Sequence, residues 1–447
     1  MLRACLVLLS GGCLVSCHGT ASLPPGAPGI PAACVLTGAS GPSATLTVAL
    51  TEPVDPAHAP VPRNDSERMV FRQLYETLVG VDCQGNVRPA LAESWSVGTD
   101  GRVWTLRLRS DARFTDGSAL TARDVAASWQ RAARVIQSVT ISGDHELVVE
   151  LASPAPSARL FASPDLAIAR TAARGPWPEG SGAFRVLPGS DARVIRIASA
   201  TRSVEFRSIA QAEPRSALDA GTDLLVSHDA RVAEYARARS DYAVTPLPWS
   251  RTYVIFAGSS VSVPRDELDA LAREAVRTEA RPAEPPFWWT EPACLASYAG
   301  SGASRPAPTR RTIAYSQEDV IARAIAERLV SLAWPATSAP QWLRELLPIQ
   351  NRSSAPSALG LDRSRFVENV RIGSTLAILP LPRAPRGECP VESLVLGDGL
   401  MMRLFEPGTS SGITPLIDTQ PYLIHRRESG AVAVAGDGTL LFGEAVR

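Results

Sequence analysis

The sequence predicts an α/β protein with more than one domain, and three observations lead to this prediction. The chain has 447 residues, which at roughly 100–200 residues per domain corresponds to two or three domains. Hydrophobic residues make up 45% and charged residues 20% of the composition, which suits a protein with large buried cores. Segments of alternating polarity are interleaved with segments of helical periodicity, so strands and helices share the fold.

The N-terminus has the composition of an export signal. Met1–Arg3 carries one positive charge, and the apolar run Ala4–Val15 that follows is too short to span a bilayer. The run ends in Leu-Val-Ser-Cys at residues 14–17, which resembles the lipobox of bacterial lipoproteins. We therefore expect cleavage after Ser16 and acyl chains on Cys17, which would hold the protein on a membrane surface. The alternative is an ordinary secretory signal in which the cysteines occur by chance.

The next segment, residues 18–43, is rich in Gly, Pro, Ala, Ser and Thr and predicts a flexible tether. Beyond Cys17, four cysteines remain, and they allow three pairings: Cys34, Cys83, Cys294 and Cys389. Export permits a disulfide, and Cys294 with Cys389 is the pair to test first, because both fall in the region assigned below to one lobe. No C-x-x-C motif occurs, and the cysteine and histidine spacings predict no metal site and no cofactor.

The charges balance, with 45 arginines and no lysine against 45 acidic residues. No net field therefore favours nucleic acid or an anionic membrane. The composition makes a nucleic-acid-binding, fibrous or polytopic membrane protein improbable.

The first half of the chain has clear element signals. Thr45–Leu50 alternates with β-branched residues and predicts a strand. Asn64 with Glu67 three residues later predicts a capping box, opening a helix with Val70, Leu74 and Leu78 on one stripe. Further predicted elements are a strand at 104–109, a turn at Asp116-Gly117, a helix capped by Thr121 and Asp124, and a hairpin over 139–151.

The second half is less regular. Strands are predicted at 204–209, 253–256 and 312–315, and a helix at 265–278. Ser316 is predicted to cap a helix that places Ile321, Ile325 and Leu329 in register.

Residues 74–125 carry an ordered set of motifs: LYETLVGVDCQGNVRPALAESWSVGTDGRVWTLRLRSDARFTDGSALTARDV. This stretch resembles the signature region of family 5 extracellular solute-binding proteins, the peptide- and nickel-binding components of ABC importers. LYETL, LAESW, DG-x-x-W, FTDG and LTARDV occur in the family's order, which is far more specific than any single motif. GSGAF at 180–184 and ALDAGTDLL at 217–225 also resemble family elements.

The resemblance implies a two-lobed α/β periplasmic-binding-protein fold of type II (cluster C), with an extra subdomain on the first lobe and a shortened second lobe. The expected divisions are the signal peptide at 1–16, the tether at 17–43, the first lobe at 44–255 with its subdomain at about 65–180, the second lobe at 256–392, and a return to the first lobe at 393–447. In such a protein a solute binds between the lobes, which close about a hinge.

Candidate solute-binding residues follow from position in this fold. Glu52 and Asp55 come after the first strand, at the expected edge of the cleft. Trp249, Ser250 and Arg251 lie near the expected crossover between lobes, and the Trp288–Trp289 pair lies in a polar loop where it could stack on a ligand. The alternative for the tryptophans is ordinary core packing.

The chain departs from the family where peptide-binding members hold the ligand's α-amino group with an aspartate. The corresponding stretch, STLAILPLPRAPRGECP at 374–390, contains neither Trp nor Asp. A buried ammonium needs a paired carboxylate, so a peptide N-terminus would be poorly held here. Arg383 and Arg386 instead offer guanidinium groups suited to carboxylate or phosphate, unless they are solvated loop residues.

An enzyme is the weaker hypothesis. Residues 408–412 (GTSSG) match G-x-S-x-G, but the following segment contains two prolines and does not predict the helix that a nucleophile elbow needs. The sequence instead predicts a non-enzymatic, monomeric, lipid-anchored extracytoplasmic binding protein that captures a peptide-like or other small solute for an ABC permease in the inner membrane. The alternative is a divergent lipoprotein on the same fold that acts as a sensor or a structural, partner-binding module.

Overall fold

The computed structural model describes residues 34–36, 45–130, 135–155, 157–170, 175–209, 213–247, 251–257, 312–317, 319–333, 358–362, 365–366, 369–370, 376–382, 413–429 and 432–442. Among them, no helix is both long enough and apolar enough to cross a membrane. The helix predicted at 265–278 and the GTSSG motif lie outside these residues.

The strands of the first 200 residues are short and mostly antiparallel. They are β1 (Val35–Leu36), β2 (Thr45–Leu50), β3 (Val79–Val81), β4 (Val87–Pro89), β5 (Ala92–Val97), β6 (Val103–Leu108), β7 (Ile136–Gly143), β8 (Glu146–Leu151), β9 (Ala169–Arg170), β10 (Glu179–Gly180), β11 (Arg185–Val186) and β12 (Val194–Ala198). The helices between them are α1 (Asp65–Leu74) and α2 (Ala122–Trp129), with 3-10 turns at Pro56–His58, Ala158–Ala162 and Pro164–Leu166.

The remaining elements complete two larger sheets. The strands are β13 (Ser203–Ser208), β14 (Leu224–Ser227), β15 (Tyr242–Pro246), β16 (Arg251–Ala257), β17 (Ile313–Ser316), β18 (Ala358–Leu361), β19 (Leu376–Pro382), β20 (Ile413–Thr419), β21 (Tyr422–Arg426), β22 (Val432–Val434) and β23 (Leu440–Leu441). The helices are α3 (Pro214–Asp219), α4 (Ala230–Arg237) and α5 (Val320–Ala333).

Two mixed sheets form the two lobes. The first has seven strands in the order β11-β12-β13-β2-β14-β21-β15, and the second has five in the order β18-β17-β19-β16-β20. β2 runs parallel to both β13 and β14, while β16 pairs antiparallel with β19 and β20. The two-lobed α/β fold predicted from the sequence is thus the fold observed.

A third, antiparallel sheet in the order β5-β6-β8-β7 belongs to a subdomain with its own core. That core extends from Leu78 to Ile168 and includes Trp104, Phe114 and Trp129. The signature motif therefore encodes packing: Trp104 and Phe114 are 3% and 2% exposed, and Trp95 packs against the core while partly buried.

Within the described residues, the chain passes between the two large sheets at two adjacent points. It leaves the first sheet after β15 and enters the second at β16, and it returns between β20 and β21. The two crossing segments are joined by hydrogen bonds, since Leu247 N donates to Pro421 O (2.9 Å) and Gln420 Nε2 donates to Leu247 O (2.7 Å). We call these two links, between Pro246 and Arg251 and between Thr419 and Tyr422, the crossover.

The lobe boundaries differ from the predicted ones. Arg251 already pairs with Pro382 and Thr419 in the second sheet, so the first lobe ends before Arg251 rather than at residue 255. β20 also belongs to the second sheet, so the chain returns to the first lobe after Thr419 rather than at residue 393.

Part of the predicted tether is structured. Cys34 forms a disulfide with Cys83, and Val35–Leu36 pairs with β22. The flexible-tether prediction is therefore wrong for residues 34–36. Composition could not reveal this, because the contacts that order these residues come from distant parts of the chain.

Two predicted helix caps need correction. Asn64 Oδ1 accepts from Glu67 N as expected (2.8 Å), but the Glu67 carboxylate does not return to Asn64 and instead accepts from Arg63 N (2.6 Å) and Asp55 N (3.1 Å). α1 also ends at Leu74, so Leu78 lies beyond it. Ser316 ends β17, and Asp319 rather than Ser316 caps α5 by accepting from Ala322 N (2.9 Å).

The other described elements agree with their predictions. The strands at 45–50 and 103–108 and the 136–151 hairpin are present, and Thr121 and Asp124 form a capping box. On α5, Ile325 and Leu329 are buried as expected.

Candidate functional site

Polar residues gather at the crossover, at the carboxyl ends of two neighbouring parallel strands. Glu52 follows β2, and His228 follows β14. In open α/β sheets, ligands bind outside the carboxyl ends of the strands, because loops from adjacent strands diverge there. Arg251 begins β16 beside them, so residues of both lobes meet at this position.

Glu52 is bound to the first turn of α1. Its Oε2 accepts from Asp65 N (2.9 Å) and Ser66 N (3.2 Å), and its own N–H donates to Ser66 Oγ (3.0 Å). Burial raises the pKa of Glu52 to about 7, and the nearby Asp65 carboxylate adds to the rise, while Arg251 and the two N–H donors oppose it. Glu52 therefore changes charge near neutral pH.

Asp65 connects two side chains of the site, Arg251 and His228. One carboxylate oxygen is paired with the Arg251 guanidinium, and the other lies 3.3 Å from His228 Nε2. Burial alone would raise the pKa of Asp65, but Arg251 and His228 outweigh burial and hold that pKa well below its ordinary value. Because Asp65 is therefore ionised and only accepts, His228 donates through Nε2, and its Nδ1 carries the lone pair in the neutral ring.

The network continues into the second lobe through Tyr253. Arg251 Nη1 lies 3.5 Å from Tyr253 Oη, and that hydroxyl donates to the two oxygens of Asp319 at 3.0 and 3.1 Å. Tyr253 is fully buried, and burial together with the Asp319 charge holds the pKa of Tyr253 far above its ordinary value, so the hydroxyl stays protonated.

Three buried polar atoms near the crossover have no hydrogen-bond partner among the described residues: His228 Nδ1, Thr419 Oγ1 and Gln420 Oε1. Thr419 is 4% exposed and lies opposite Arg251 in the β16–β20 register. Such groups normally have partners, because leaving one without a partner costs about 1–3 kcal/mol. These atoms offer hydrogen bonds to a small polar molecule.

The groups at the crossover are a paired guanidinium, paired carboxylates and neutral polar atoms, which are the kinds of group that orient small polar ligands in binding sites. In the part of the chain that the structure describes, no group of three or more His, Cys, Asp and Glu side chains is placed to hold a metal ion.

Three of the sequence-predicted site residues are described. Glu52 and Arg251 both lie in the crossover network. Asp55 does not: it is exposed, and its Oδ1 accepts from Ala57 N (2.9 Å) to cap a short 3-10 turn. The remaining predicted residues lie outside the described residues: Cys17, Trp249, Ser250, Trp288, Trp289, Cys294, Arg383, Arg386 and Cys389.

Sequence reasoning missed Asp65, His228, Tyr253 and Asp319. His228 follows β14 as Glu52 follows β2, and the carboxyl ends of parallel strands meet at one sheet edge, but no strand was predicted before His228 to reveal this. Asp65 and Asp319 look like ordinary first-turn and capping residues. Their role depends on contacts with β16 across 186 and 66 positions of sequence.

Comparison with known proteins gives a family relationship over part of the chain. Residues 86–187 match the model for bacterial extracellular solute-binding proteins, family 5 Middle. A stretch of 65 residues is 45% identical to the periplasmic oligopeptide-binding protein OppA of Escherichia coli K12, covering 14% of this chain. That match spans about one eighth of the relative's own length, 12%.

Solved structures of binding proteins have the same fold over most of the chain. NikA from Brucella suis, in complex with Fe(III)-EDTA, has a TM-score of 0.59 at 15% identity, covering 88% of this chain and 98% of that one. OppA from Haemophilus influenzae, in complex with RPPGFSPFR, has a TM-score of 0.58 at 15% identity, covering 88% and 97%. The two-lobed architecture is therefore that of periplasmic binding proteins.

Proposed function

Because residues 86–187 belong to family 5 of the bacterial extracellular solute-binding proteins, we propose that this chain captures a small solute between its two lobes for an ABC importer. The solute enters the cleft beside the crossover, the lobes close about the two crossing segments, and the binding energy favours the closed state. The protein performs no chemical step.

One observation carries the proposal: polar groups from both lobes meet at the crossover, at the carboxyl ends of β2 and β14. Arg251 of the second sheet is paired with Asp65 of the first lobe, and buried polar atoms without described partners lie on both sides of the crossover. A solute held there would contact both lobes, which is the condition for binding to drive closure.

The solute is a peptide or another small polar molecule. Proteins of this fold bind chemically different molecules, since OppA from Haemophilus influenzae is in complex with RPPGFSPFR and NikA from Brucella suis is in complex with Fe(III)-EDTA. In this chain, the described part of the stretch expected to hold a peptide's amino group is β19, whose Leu376–Leu379 segment is buried and apolar. Peptide capture here would therefore need an acidic group elsewhere in the cleft to pair with the amino group.

The protein works outside the cytoplasm, on a membrane. The apolar run at 4–15 directs export, and the Cys17 lipobox supplies acyl chains that keep the protein near the permease. It acts as a monomer with its ligand and the inner-membrane permease as partners.

Thermal unfolding of the whole exported protein tests the proposal. The probes are di- to pentapeptides, single amino acids, nickel chelates and organic acids, each titrated separately. A ligand at 100 times its dissociation constant adds about 2.7 kcal/mol to the free energy of unfolding. We expect one probe class to raise Tm with saturation. Unchanged Tm with every class, in a cooperatively unfolding protein, would end the solute-capture proposal.

A second function has one observation in its favour. The buried, apolar β19 gives no anchor for a ligand's amino group, which also fits a divergent lipoprotein that serves as a sensor or as a structural partner-binding module. That function predicts stable association with a protein partner and no Tm shift with any of the four probe classes.

A further inference from the structure

The crossover network contains contacts that solute binding alone does not require. Arg251 and Tyr253 are two residues apart on β16, so their side chains leave the same face of the strand. Arg251 pairs with Asp65 in the first turn of α1, in the first lobe. Tyr253 donates to Asp319, the capping residue of α5, in the second lobe.

We propose that Arg251 is a positioning residue that joins the second lobe to the first through Asp65, while Tyr253, bonded to Asp319, holds the Arg251 side chain in place from within the second lobe, and that together they set the angle at which the lobes meet. We call Asp65, Arg251, Tyr253 and Asp319 the clasp. It contributes to solute affinity by presetting the lobe angle, and to this extent it rests on the proposed function.

Asp65 and Asp319, the two ends of the clasp, each lie at the start of a helix. Asp65 lies in the first turn of α1, where the positive end of the helix dipole favours a carboxylate. Asp319 accepts from Ile321 N (3.1 Å) and Ala322 N (2.9 Å) at the start of α5. Because β16 belongs to the second sheet and Asp65 to the first turn of α1, a change in the lobe angle must stretch the contact between Asp65 and Arg251.

The charges show why Arg251 is the central member. Its positive charge interacts with Asp65 of the first lobe, with Asp319 of the second lobe and with Glu52. Without Arg251, the Asp65 and Asp319 carboxylates would lose the cation that they share, and their mutual repulsion would favour separation of the lobes. Backbone contacts between the crossing segments would remain, so the lobes would stay connected but turn more freely.

The test combines small-angle X-ray scattering with probe binding on the whole exported protein. Arg251→Met removes the charge and keeps much of the aliphatic part of the side chain. Arg251→Lys keeps the charge but loses the planar guanidinium group. Tyr253→Phe removes only the hydroxyl. The matched control is Arg239→Met. Arg239 pairs with Asp219 and Asp241 within the first lobe and contacts no described residue of the second.

We expect Arg251→Met to increase the radius of gyration and to weaken binding of the probe that raises Tm by about tenfold, or 1.4 kcal/mol. Tyr253→Phe and Arg251→Lys should change both quantities less, in the same direction, while Arg239→Met leaves both unchanged. An unaltered scattering profile in folded Arg251→Met, or in Tyr253→Phe if Arg251→Met fails to fold, overturns the clasp. Since scattering needs no ligand, this result is independent of whether any probe binds.

Discussion

At the scale of single residues, Glu52 should make stability depend on pH in a direction unusual for a carboxylate. Its pKa in the folded protein is about 7 against an ordinary value of 4.5, so folding favours the protonated form. The stabilising contribution is complete below about pH 4.5 and is lost as the pH rises through about 7. The groups facing Glu52 are the first-turn N–H donors of α1, the Asp65 carboxylate and Arg251.

Glu52→Gln tests this, because the amide oxygen can still accept from Asp65 N and Ser66 N. The free energy of unfolding, from denaturant titration, should fall by up to about 3 kcal/mol more in the wild type than in the variant between about pH 5 and about pH 8. Taking the difference removes the opposite dependence of Asp65 and the other salt-bridged carboxylates. Parallel pH profiles for the two proteins would contradict the prediction.

At the scale of elements, the contact between β10 and the end of α1 depends on glycine. A Cβ on Gly180 would lie 1.9 Å from Leu74 O and 2.7 Å from the Tyr75 ring. The backbone of one element therefore occupies the space that a side chain on the other would need.

Gly180→Ala should cost at least about 3 kcal/mol, because backbone rather than a flexible side chain must move. Gly143 in β7 is the control, since a Cβ there meets nothing within 4 Å and its backbone is not in the left-handed region. Gly143→Ala should change the free energy of unfolding by less than about 1 kcal/mol. Similar losses for the two variants, measured by urea denaturation, would contradict the close-packing argument.

The Cys34–Cys83 disulfide connects the N-terminal segment to the loop between β3 and β4, across 49 positions of sequence. Replacing both cysteines by serine should lower the free energy of unfolding by about 2–4 kcal/mol, since the crosslink restricts the unfolded chain. Reductant should destabilise the wild type and should affect the double variant less. Thiol titration of the denatured, unreduced protein that finds Cys34 and Cys83 free would refute this pairing.

That pairing also bears on the remaining cysteines. If all four form disulfides, Cys294 and Cys389 are left for each other, which is the pair that the sequence favoured for a different reason. It stays a prediction, and the Cys34→Ser/Cys83→Ser variant tests it directly: one disulfide should remain by mass spectrometry.

Local signals in the sequence predicted elements well and their partners poorly. Alternation identified β2 and β6, because a half-buried strand alternates, and the Gly143-Asp144 turn between two strand-like runs identified the β7–β8 hairpin. The Asn64 cap was found, but the Glu67 carboxylate turned to Arg63, Asp55 and His58 instead of completing a capping box. Several donors compete for one buried carboxylate, and tertiary placement decides which of them bind.

At the scale of the whole molecule, the stretch that matches the family model and the proposed binding site are separate parts of the chain. The 86–187 match covers most of the subdomain, whose motif residues fill a core. The crossover site is assembled from residues near 52, 65, 228, 251, 319 and 419, which come from six separate parts of the chain. Two-lobed architecture could therefore be predicted from sequence, while the site required coordinates, because no local pattern joins Asp65 to Arg251.

The predicted lipid anchor and the observed disulfide together limit how far the protein can stand from its membrane. Cys17 would carry the acyl chains, and Cys34 is bonded to Cys83 with Val35–Leu36 in a sheet. The connecting residues 18–33 span at most about 55 Å when fully extended. Without the disulfide, the connecting chain could lengthen to residue 44, adding roughly 35 Å.

Cys17→Ala should move the protein from the membrane to the soluble fraction, because acyl chains supply the anchoring energy. Cys34→Ser/Cys83→Ser should leave it in the membrane fraction but make the segment before β2 more sensitive to added protease, since β1 loses its covalent attachment. Fractionation and mass spectrometry of the proteolytic fragments measure the two effects. If the wild-type protein is found in the soluble fraction with an unmodified Cys17, the anchor prediction is wrong. The solute-capture proposal does not depend on the anchor and would remain.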